Sequence, residues 1–191
     1  IVFSSSSSVY GEPETVPTDE NEPLKPMTPY ALQKVEGENY LWLYWKIYGV
    51  KSTVLRYFNV FGERQELANN GGDSSLCLAN FMRQHQSKEP LTIMGSGEQR
   101  RDFVYVKDVV EANVKAAEWL EYAEQFEIFN IGSGKNYSIN ELADMVKKER
   151  VYLPPRIEPM NCLAHTAKAK KLLQWEPKVN IEDWLRQTLT V

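Results

Sequence analysis

The sequence predicts an α/β fold, because short β-prone apolar runs alternate along the chain with segments that carry helix-capping residues. The 191 residues are 42% apolar and 25% charged, a balance typical of an ordinary globular protein. No apolar stretch reaches the roughly 18 residues that a membrane-spanning helix needs. The net charge of −4 disfavours nucleic acid and anionic membranes as partners.

Five strands are predicted where apolar runs are rich in β-branched or aromatic side chains and are followed by a turn or a helix cap. In chain order these runs are 1–3, 54–60, 91–94, 103–106 and 128–131. The first run leads into five consecutive serines, Ser4–Ser8. The second and the last are closed by Gly62 and Gly132.

Six helical segments are predicted from capping residues and the patterns that follow them. They cover 30–48, 76–84, 108–120, 138–148, 166–173 and a last segment from 180 onward. The expected N-caps are Thr28, Asp108, Ser138 and Asn180. Pro29 suits the first helical position, Gly49 is placed to end the first helix, and Glu141 completes a capping box with Ser138.

Tyr30 and Lys34 are four residues apart on the first predicted helix and therefore share one face. A free phenol titrates near pH 10 and is a poor base at neutral pH, but a nearby ammonium favours the phenolate. Such a pair can take part in proton transfer. The same spacing is common in helices without catalytic roles, so its meaning depends on the surrounding sequence.

The serine run supplies that context, because ligands in open α/β sheets bind at the carboxyl ends of strands. A hydroxyl there could hydrogen-bond the same substrate oxygen as Tyr30. The alternative is a disordered serine linker, which is disfavoured because the run lies between β-prone residues and Val9-Tyr10-Gly11.

Four motifs in a fixed order make the chain resemble the extended short-chain dehydrogenases/reductases that act on nucleotide sugars. They are Ser-Ser-Ser-x-x-Val-Tyr-Gly at 4–11, Thr-Pro-Tyr-x-x-x-Lys at 28–34, Leu-Arg-Tyr-Phe-Asn-Val-Phe-Gly at 55–62 and Arg-Asp-Phe-Val-Tyr-Val-x-Asp-Val at 101–109. Phe-Asn-Ile-Gly at 129–132 and the segment 168–177 continue the likeness. The resemblance therefore covers essentially the whole chain.

The resemblance implies a partial Rossmann-like, doubly wound sheet, of which only the second half is present, interleaved with a small α/β substrate-binding domain. Residues 1–62 would carry the catalytic serine and the Tyr-x-x-x-Lys pair. Residues 63–191 would form mainly the substrate-binding domain, with about 101–132 returning to the sheet layer. The family's Gly-x-x-Gly-x-x-Gly turn has no counterpart here, so we expect the cofactor-binding N-terminal half to be absent and this chain alone to be inactive.

The resemblance also implies roles for individual residues. The catalytic set is Ser6, Tyr30 and Lys34, with Tyr30 as the base. The residues that would hold NAD in the full-length parent are Ser4, Tyr30, Lys34 and Phe58. The residues that would bind the nucleotide sugar are Ser6, Ser7, Asn59, Arg101 and Arg156. Arg64 is interpreted as a solvated surface charge, and Arg156 is equally compatible with that role. No group of residues has metal-ligand spacing.

The implied activity is that of a UDP-hexose or UDP-N-acetylhexosamine 4-epimerase that works through a transient 4-keto sugar and hydride transfer with NAD. Dehydratases of this family carry an Asp-Glu pair after the catalytic serine, and decarboxylases usually carry a Glu just before Val-Tyr-Gly. Ser7 and Ser8 stand there in this chain, which favours epimerisation. Another nucleotide-sugar epimerase, a dehydratase, a decarboxylase and a non-catalytic remnant remain alternatives.

Two further expectations concern the setting of the protein. Cys77 and Cys162 do not make a disulfide framework, so a reducing cytoplasm is the simplest location. The aromatic-rich stretch Tyr40–Tyr48 lies on a helix that in this family contributes to a dimer interface, and we expect a homodimer or higher oligomer.

The family's Arg-x-Gly-Glu/Asp motif near the C-terminus is replaced by Arg156-Ile157-Glu158-Pro159.

Overall fold

The computed structural model describes residues 1–65, 77–146 and 149–189, and within them it confirms the α/β fold. The strands are β1 Val2–Ser6, β2 Thr53–Tyr57, β3 Asn59–Phe61, β4 Leu91–Met94, β5 Arg100–Tyr105, β6 Glu127–Ile131, β7 Asn136–Ser138 and β8 Arg150–Leu153. The helices are α1 Pro29–Tyr48, α2 Cys77–Gln86, α3 Val106–Tyr122, α4 Ile139–Val146 and α5 Ile181–Leu189. Short helical turns occur at Ser7–Tyr10 and Ala169–Leu173.

The first sheet has the order β1-β2-β6, and all of its strands are parallel. Ser6 lies opposite Tyr57, and Tyr57 lies opposite Ile131, so three carboxyl ends meet at one edge. The core beneath this sheet contains Leu55, Phe129 and Trp175, all with 1% exposure or less. The register therefore places the serine run at the edge where ligands bind in parallel sheets.

The remaining strands form two further sheets, one of three strands and one of two. β5 pairs in parallel with β3 and antiparallel with β7, and β4 pairs in parallel with β8. α2, α4 and α5 bury their apolar faces in a second core beside these strands. Its fully buried members include Phe61, Phe81, Ile93, Leu142 and Ile181.

The predicted single strand at 54–60 is wrong, because the chain changes sheets within it. β2 ends at Tyr57, the N–H of Phe58 still donates to the carbonyl oxygen of Ile131 at 2.9 Å, and Asn59 then pairs with Phe103. The segment 101–132 divides in the same way: β6 joins the first sheet, whereas β5 joins the second. A β-prone run such as 54–60 carries no signal for such a crossing.

Most predicted caps are confirmed. Thr28 Oγ1 accepts the N–H of Ala31, and Gly49 ends α1 with a positive φ of 66°. The capping box has both of its hydrogen bonds, at 2.7 Å to Glu141 Oε2 and 3.0 Å to Ser138 Oγ. Asn180 Oδ1 accepts the N–H of Glu182 at 2.8 Å.

The cap predicted at Asp108 is wrong. α3 begins at Val106, and the Asp108 carboxylate accepts the N–H groups of Lys178 and Val179 at 2.9 and 3.0 Å. It therefore fixes the segment before α5 instead of capping its own helix. β7 and β8 have no counterpart among the predicted strands. Residues 76, 147 and 148 of the predicted helices lie outside the described residues.

The aromatic side chains of α1 remain exposed on this chain. Tyr40, Tyr44 and Tyr48 are 63%, 50% and 70% exposed, and Trp42 is 43% exposed. This surface is available to a second copy of the chain, and the oligomer remains a prediction. In the part of the chain that the structure describes, no helix is both long and apolar enough to span a membrane.

Candidate active site

A cavity of about 1120 Å³ opens between the carboxyl edge of the first sheet and the second core. Its walls come from the serine run, the start of α1, the β2–β3 crossing, α2 and the segments around 99–101 and 153–162. Of the predicted site residues, those that line it are Ser6, Ser7, Tyr30, Phe58, Asn59, Arg101 and Arg156. The fold thus brings together residues that are far apart in the sequence. Ser6 and Arg156 both line the cavity and are separated by 150 positions.

The serine run changes direction at Ser6, where β1 ends. Ser6 is extended, with φ −148° and ψ 147°, and its Oγ accepts the N–H of Ser8 at 3.2 Å. Gly11 ends the turn with a φ of 62°, and a Cβ there would lie 2.0 Å from the carbonyl oxygen of Lys25. The Ser8 hydroxyl is buried and has no hydrogen-bond partner within the described residues. Because Ser8 lines the cavity, a ligand can supply that partner.

Lys34 is fixed beside Tyr30 at the end of β1. Its Nζ donates to the carbonyl oxygen of Ser4 at 2.8 Å and lies 5.5 Å from the centre of the Tyr30 ring. Tyr30 itself is 54% exposed at the cavity wall. Ser4 and Lys34 do not line the cavity; they lie behind Tyr30, where Ser4 Oγ is 3.0 Å from the hydroxyl of Tyr57.

A buried polar network holds α1 against the first sheet. Glu38, one turn beyond Lys34, accepts Arg56 Nε at 3.0 Å, Arg56 Nη2 at 2.6 Å and the Ser5 hydroxyl at 2.5 Å. Arg56 Nη1 donates to the Tyr10 hydroxyl, which donates to Asn130 Oδ1. This network fixes the height of Tyr30 and Lys34 above the sheet. Glu38 follows Lys34 at the same spacing of four, but that spacing does not identify Arg56 as its partner.

The cavity has a local excess of positive charge although the whole chain is acidic. Its lining includes four arginines and two glutamates: Arg64, Arg83, Arg101, Arg156, Glu63 and Glu158. Arg64 was interpreted as a surface charge, and it is exposed, but it also lines this cavity. The arrangement favours an anionic ligand with several charged oxygens.

Arg101 occupies the innermost part of this basic wall. The residue is 8% exposed, and its Nη1 donates to the carbonyl oxygen of Arg100 at 2.8 Å. Its neighbour Asp102 is fully buried and accepts the N–H groups of Ser133, Gly134 and Ala164 at 2.6 to 3.0 Å. Burial raises the pKa of Asp102, and these hydrogen bonds oppose the shift. Asp102 therefore anchors the strand that positions Arg101.

The cavity thiols are poor nucleophiles. Cys77 and Cys162 both line it, and burial raises the pKa of Cys77 to about 12 and that of Cys162 above its usual range. A thiol must ionise to attack, so neither cysteine is a good candidate for the chemistry of this site. In the described parts of the chain, no group of three or more His, Cys, Asp or Glu residues is arranged to hold a metal ion.

A parallel sheet whose carboxyl edge carries a serine run and a Tyr–Lys pair beside a basic cavity defines the short-chain dehydrogenase/reductase class of fold. Within that class, the chain belongs to the NAD dependent epimerase/dehydratase family, whose sequence model matches residues 1–132. The family predicted from the motifs is thereby confirmed.

Individual relatives give the same result. The chain is 39% identical, over 99% of its length, to a putative UDP-glucose 4-epimerase of Methanocaldococcus jannaschii, of which it covers 61%. It is similar to the crystal structure of a Thermotoga maritima UDP-glucose 4-epimerase with UDP-glucose, at 39% identity and a TM-score of 0.87, covering 99% of this chain and 62% of that one. It is also similar to the crystal structure of a Bacillus cereus UDP-glucuronic acid 4-epimerase in complex with UDP-glucuronic acid and NAD. The identity is 30% and the TM-score is 0.84, and the match covers 97% of this chain and 58% of that one. The chain thus spans about three fifths of the length of these proteins.

Proposed function

We propose that the protein containing this chain is an NAD-dependent nucleotide-sugar epimerase that inverts C4 of a UDP-hexose or UDP-N-acetylhexosamine. The observation that carries this proposal is the cavity itself, whose lining combines an arginine-rich wall with the serine run and with Tyr30, the ring beside which Lys34 lies. A nucleotide sugar has a doubly charged diphosphate in its middle, which links the nucleoside to a sugar that carries several hydroxyls. The arginine-rich wall suits the diphosphate, the hydroxyl-lined wall suits the sugar, and the named relatives support UDP sugars as the substrate class.

The diphosphate is assigned to the basic wall. A guanidinium can bind two phosphate oxygens at once, which suits Arg101 and Arg156. Asn59, whose Nδ2 donates to the carbonyl oxygen of Asp102 at 3.1 Å, is held at the same wall and is proposed to contact the sugar diphosphate. In this proposal residues 1–62 supply the reacting groups and residues 63–191 supply most of the phosphate-binding groups.

The sugar is assigned to the wall of hydroxyls. Tyr30 is proposed to accept the proton of the C4 hydroxyl, with the Lys34 ammonium beside the ring favouring the charge on its oxygen. Ser6 is proposed to help carry that proton, Ser7 to bind the sugar, and the unpartnered Ser8 hydroxyl to bind another sugar oxygen. Loss of that proton together with a hydride from C4 would leave a carbonyl carbon there, and return of the hydride from the opposite face would give the epimer.

The residues around Lys34 fit one end of the cofactor. NAD, when bound, would take up the hydride from C4 and return it. Lys34 is fixed by its bond to Ser4 at the carboxyl edge of the sheet, and an ammonium has three donors, so it suits the nicotinamide ribose together with Tyr30. Ser4 and the buried Phe58 are proposed to complete this end of the site. No glycine-rich turn for the pyrophosphate occurs in the sequence.

Elimination chemistry is less well supported than epimerisation. A dehydratase needs a carboxylic acid near the leaving hydroxyl, and Ser7 and Ser8 occupy that part of the wall. The carboxylates that do line the cavity are engaged elsewhere: Glu63 accepts the Tyr105 hydroxyl at 2.7 Å, and Glu158 pairs with Arg101. The structure thus favours an epimerase over a dehydratase of the same family.

The proposal is tested with Tyr30→Phe in the protein containing this chain. We expect kcat for UDP-hexose epimerisation to fall about 100- to 10,000-fold, because a positioned acid–base group is lost, with little change in KM. The assay follows interconversion of UDP-glucose and UDP-galactose and of the two N-acetylated counterparts.

Tyr44→Phe is the matched control, since Tyr44 lies on the same helix, is 50% exposed and does not line the cavity. It should keep normal turnover. Near-normal turnover of Tyr30→Phe on every UDP-hexose tested would show that Tyr30 is not the base. The hypothesis of a non-catalytic remnant would then be the better one. Release of water or carbon dioxide instead of epimer would identify a dehydratase or a decarboxylase.

A further inference from the structure

An ion pair inside the cavity joins the residue proposed to bind the diphosphate to a carboxylate of the same chain. Arg101 Nη2 lies 2.6 Å from Glu158 Oε2, and both residues line the cavity. The Arg101 side chain is 10% exposed and the Glu158 side chain is 34% exposed. The carboxylate is therefore the more accessible partner of a pair that lines the cavity.

Glu158 is also held by a neighbour of Arg101. Its Oε1 accepts Gln99 Nε2 at 3.2 Å, and the same nitrogen donates to the carbonyl oxygen of Met94 at 2.8 Å. Glu158 lies between β8 and the helical turn at Ala169–Leu173, in a stretch that belongs to no helix or strand. Its carboxylate is thus fixed at the basic wall by side-chain contacts, while its backbone is not part of a sheet or helix.

We propose, on the basis of the function proposed above, that Glu158 is an internal competitor for the diphosphate of the substrate at Arg101. A carboxylate and a phosphate both present charged oxygens to a guanidinium. A diphosphate that approaches Arg101 must either displace Glu158 or bind beside a like charge, and either event lowers its affinity. Glu158 can leave because it is partly exposed and can be hydrated outside the pair.

The other carboxylate of the cavity does not have this position. Glu63 accepts the Tyr105 hydroxyl and lies 4.0 Å from Lys107, and its side chain is 53% exposed. The charge of Glu63 therefore lies at the solvent-exposed edge of the cavity. The competition is specific to Glu158, and its consequence is weaker binding of substrate and faster release of product.

The test is titration calorimetry of the chain with inorganic pyrophosphate and, separately, with UDP, comparing wild type and Glu158→Gln. The glutamine removes the charge and keeps one oxygen that can accept the Arg101 hydrogen bond. It also replaces the oxygen that accepts Gln99 Nε2, but that nitrogen keeps its bond to the carbonyl oxygen of Met94. We expect both ligands to bind about tenfold more tightly to Glu158→Gln at low salt. The difference should shrink in 0.5 M salt, because screening weakens the repulsion that the substitution removes.

Glu89→Gln is the matched control. Glu89 pairs with Arg83, another arginine of the cavity wall, at 3.2 Å, but does not itself line the cavity. The same chemical change there should alter neither affinity by more than about twofold, because exposed pairs contribute little. A gain in Glu89→Gln equal to that in Glu158→Gln would overturn the inference by showing a general charge effect.

The remaining outcomes separate this inference from the proposed function. Unchanged or weaker binding of both ligands by Glu158→Gln overturns the inference, whatever the affinity of the wild type, since it shows that Glu158 orients Arg101 or contacts the ligand. Tighter binding of pyrophosphate with no preference for UDP supports the inference and contradicts the proposed UDP-sugar specificity.

Discussion

Two arginine–glutamate pairs of this chain have the same length and different surroundings. Arg56 Nη2 lies 2.6 Å from Glu38 Oε2, and Arg101 Nη2 lies 2.6 Å from Glu158 Oε2. The side chains of the first pair are 2% and 4% exposed, whereas those of the second are 10% and 34% exposed. Distance alone therefore says little about what an ion pair does, and accessibility to a ligand says more.

The buried pair is closed to an outside anion, because its side chains are almost fully buried and four of the five Arg56 N–H groups already have acceptors. Arg56 donates to Glu38 from Nε and Nη2, and from Nη1 to the Tyr10 hydroxyl and the carbonyl oxygen of Glu20. Burial alone would lower the pKa of Arg56, but the hydrogen bonds and charges of Glu38 and Tyr10 outweigh it and raise the pKa. This pair is a structural connection between α1 and β2.

The largest effect should come from breaking the buried pair with Glu38→Gln. An unpaired buried arginine charge costs about 3 to 5 kcal/mol of unfolding free energy, measured by urea denaturation. The control is Glu182→Gln, which removes the partner of Lys135 in an exposed pair and should cost about 0 to 1 kcal/mol. Equal losses in the two variants would remove the distinction between buried and accessible pairs.

Neither ion pair could be predicted from the sequence, unlike the helix caps. Thr28, Gly49 and the Ser138–Glu141 box act within one turn of a helix, so their residue types and spacing were sufficient. Glu38 and Arg56 are 18 residues apart, and Arg101 and Glu158 are 57 residues apart. Such contacts depend on how strands and helices pack, and no periodicity in the sequence records that packing.

The change of sheet at Phe58 and the role of Asp108 were missed for the same reason. A run of apolar residues is compatible with one strand or with two strands in different sheets, and an Asp near a helix start is compatible with a cap or with a distant partner. The candidate site residues were predicted through motifs, which the family resemblance supplied, and their roles stay predictions. Glu38 lies outside those motifs, whereas Ser8 and Glu158 stand at positions where this chain departs from the family's motifs.

A smaller effect should come from the pH dependence of the buried network. Burial raises the pKa of Tyr10 to about 12, above its ordinary value of 10.0, so the folded chain holds this proton more tightly than the unfolded chain. The resulting stability is fully present below pH 10 and is lost as the pH rises towards 12. Its size is about 2 to 3 kcal/mol, at roughly 1.4 kcal/mol for each pKa unit.

The measurement compares the unfolding free energy at pH 9 and pH 11.5 for wild type and Tyr10→Phe. The variant loses its hydrogen bonds to Asn130 and Arg56 at both pH values, so it should be less stable than the wild type at pH 9. It should also lack the Tyr10 part of the alkaline loss. The same alkaline loss in both proteins would show that other groups cause it and that the network tolerates a charged Tyr10.

The smallest change in stability is expected for Arg101→Ala, which removes the cation of the cavity pair. The Glu158 carboxylate that remains is partly exposed and can be hydrated, so the loss of unfolding free energy should be about 1 kcal/mol or less, well below that of Glu38→Gln.

The binding of substrate should respond to Arg101→Ala much more than stability does. A guanidinium that contacts the diphosphate equally in ground and transition states contributes to KM and not to kcat, so KM for the UDP-hexose should rise about tenfold or more while kcat stays within about threefold. Urea denaturation and steady-state kinetics on the same preparation give both values. A loss of stability as large as that of Glu38→Gln, with KM unchanged, would mean that Arg101–Glu158 is a second structural pair, and accessibility would then no longer distinguish the two.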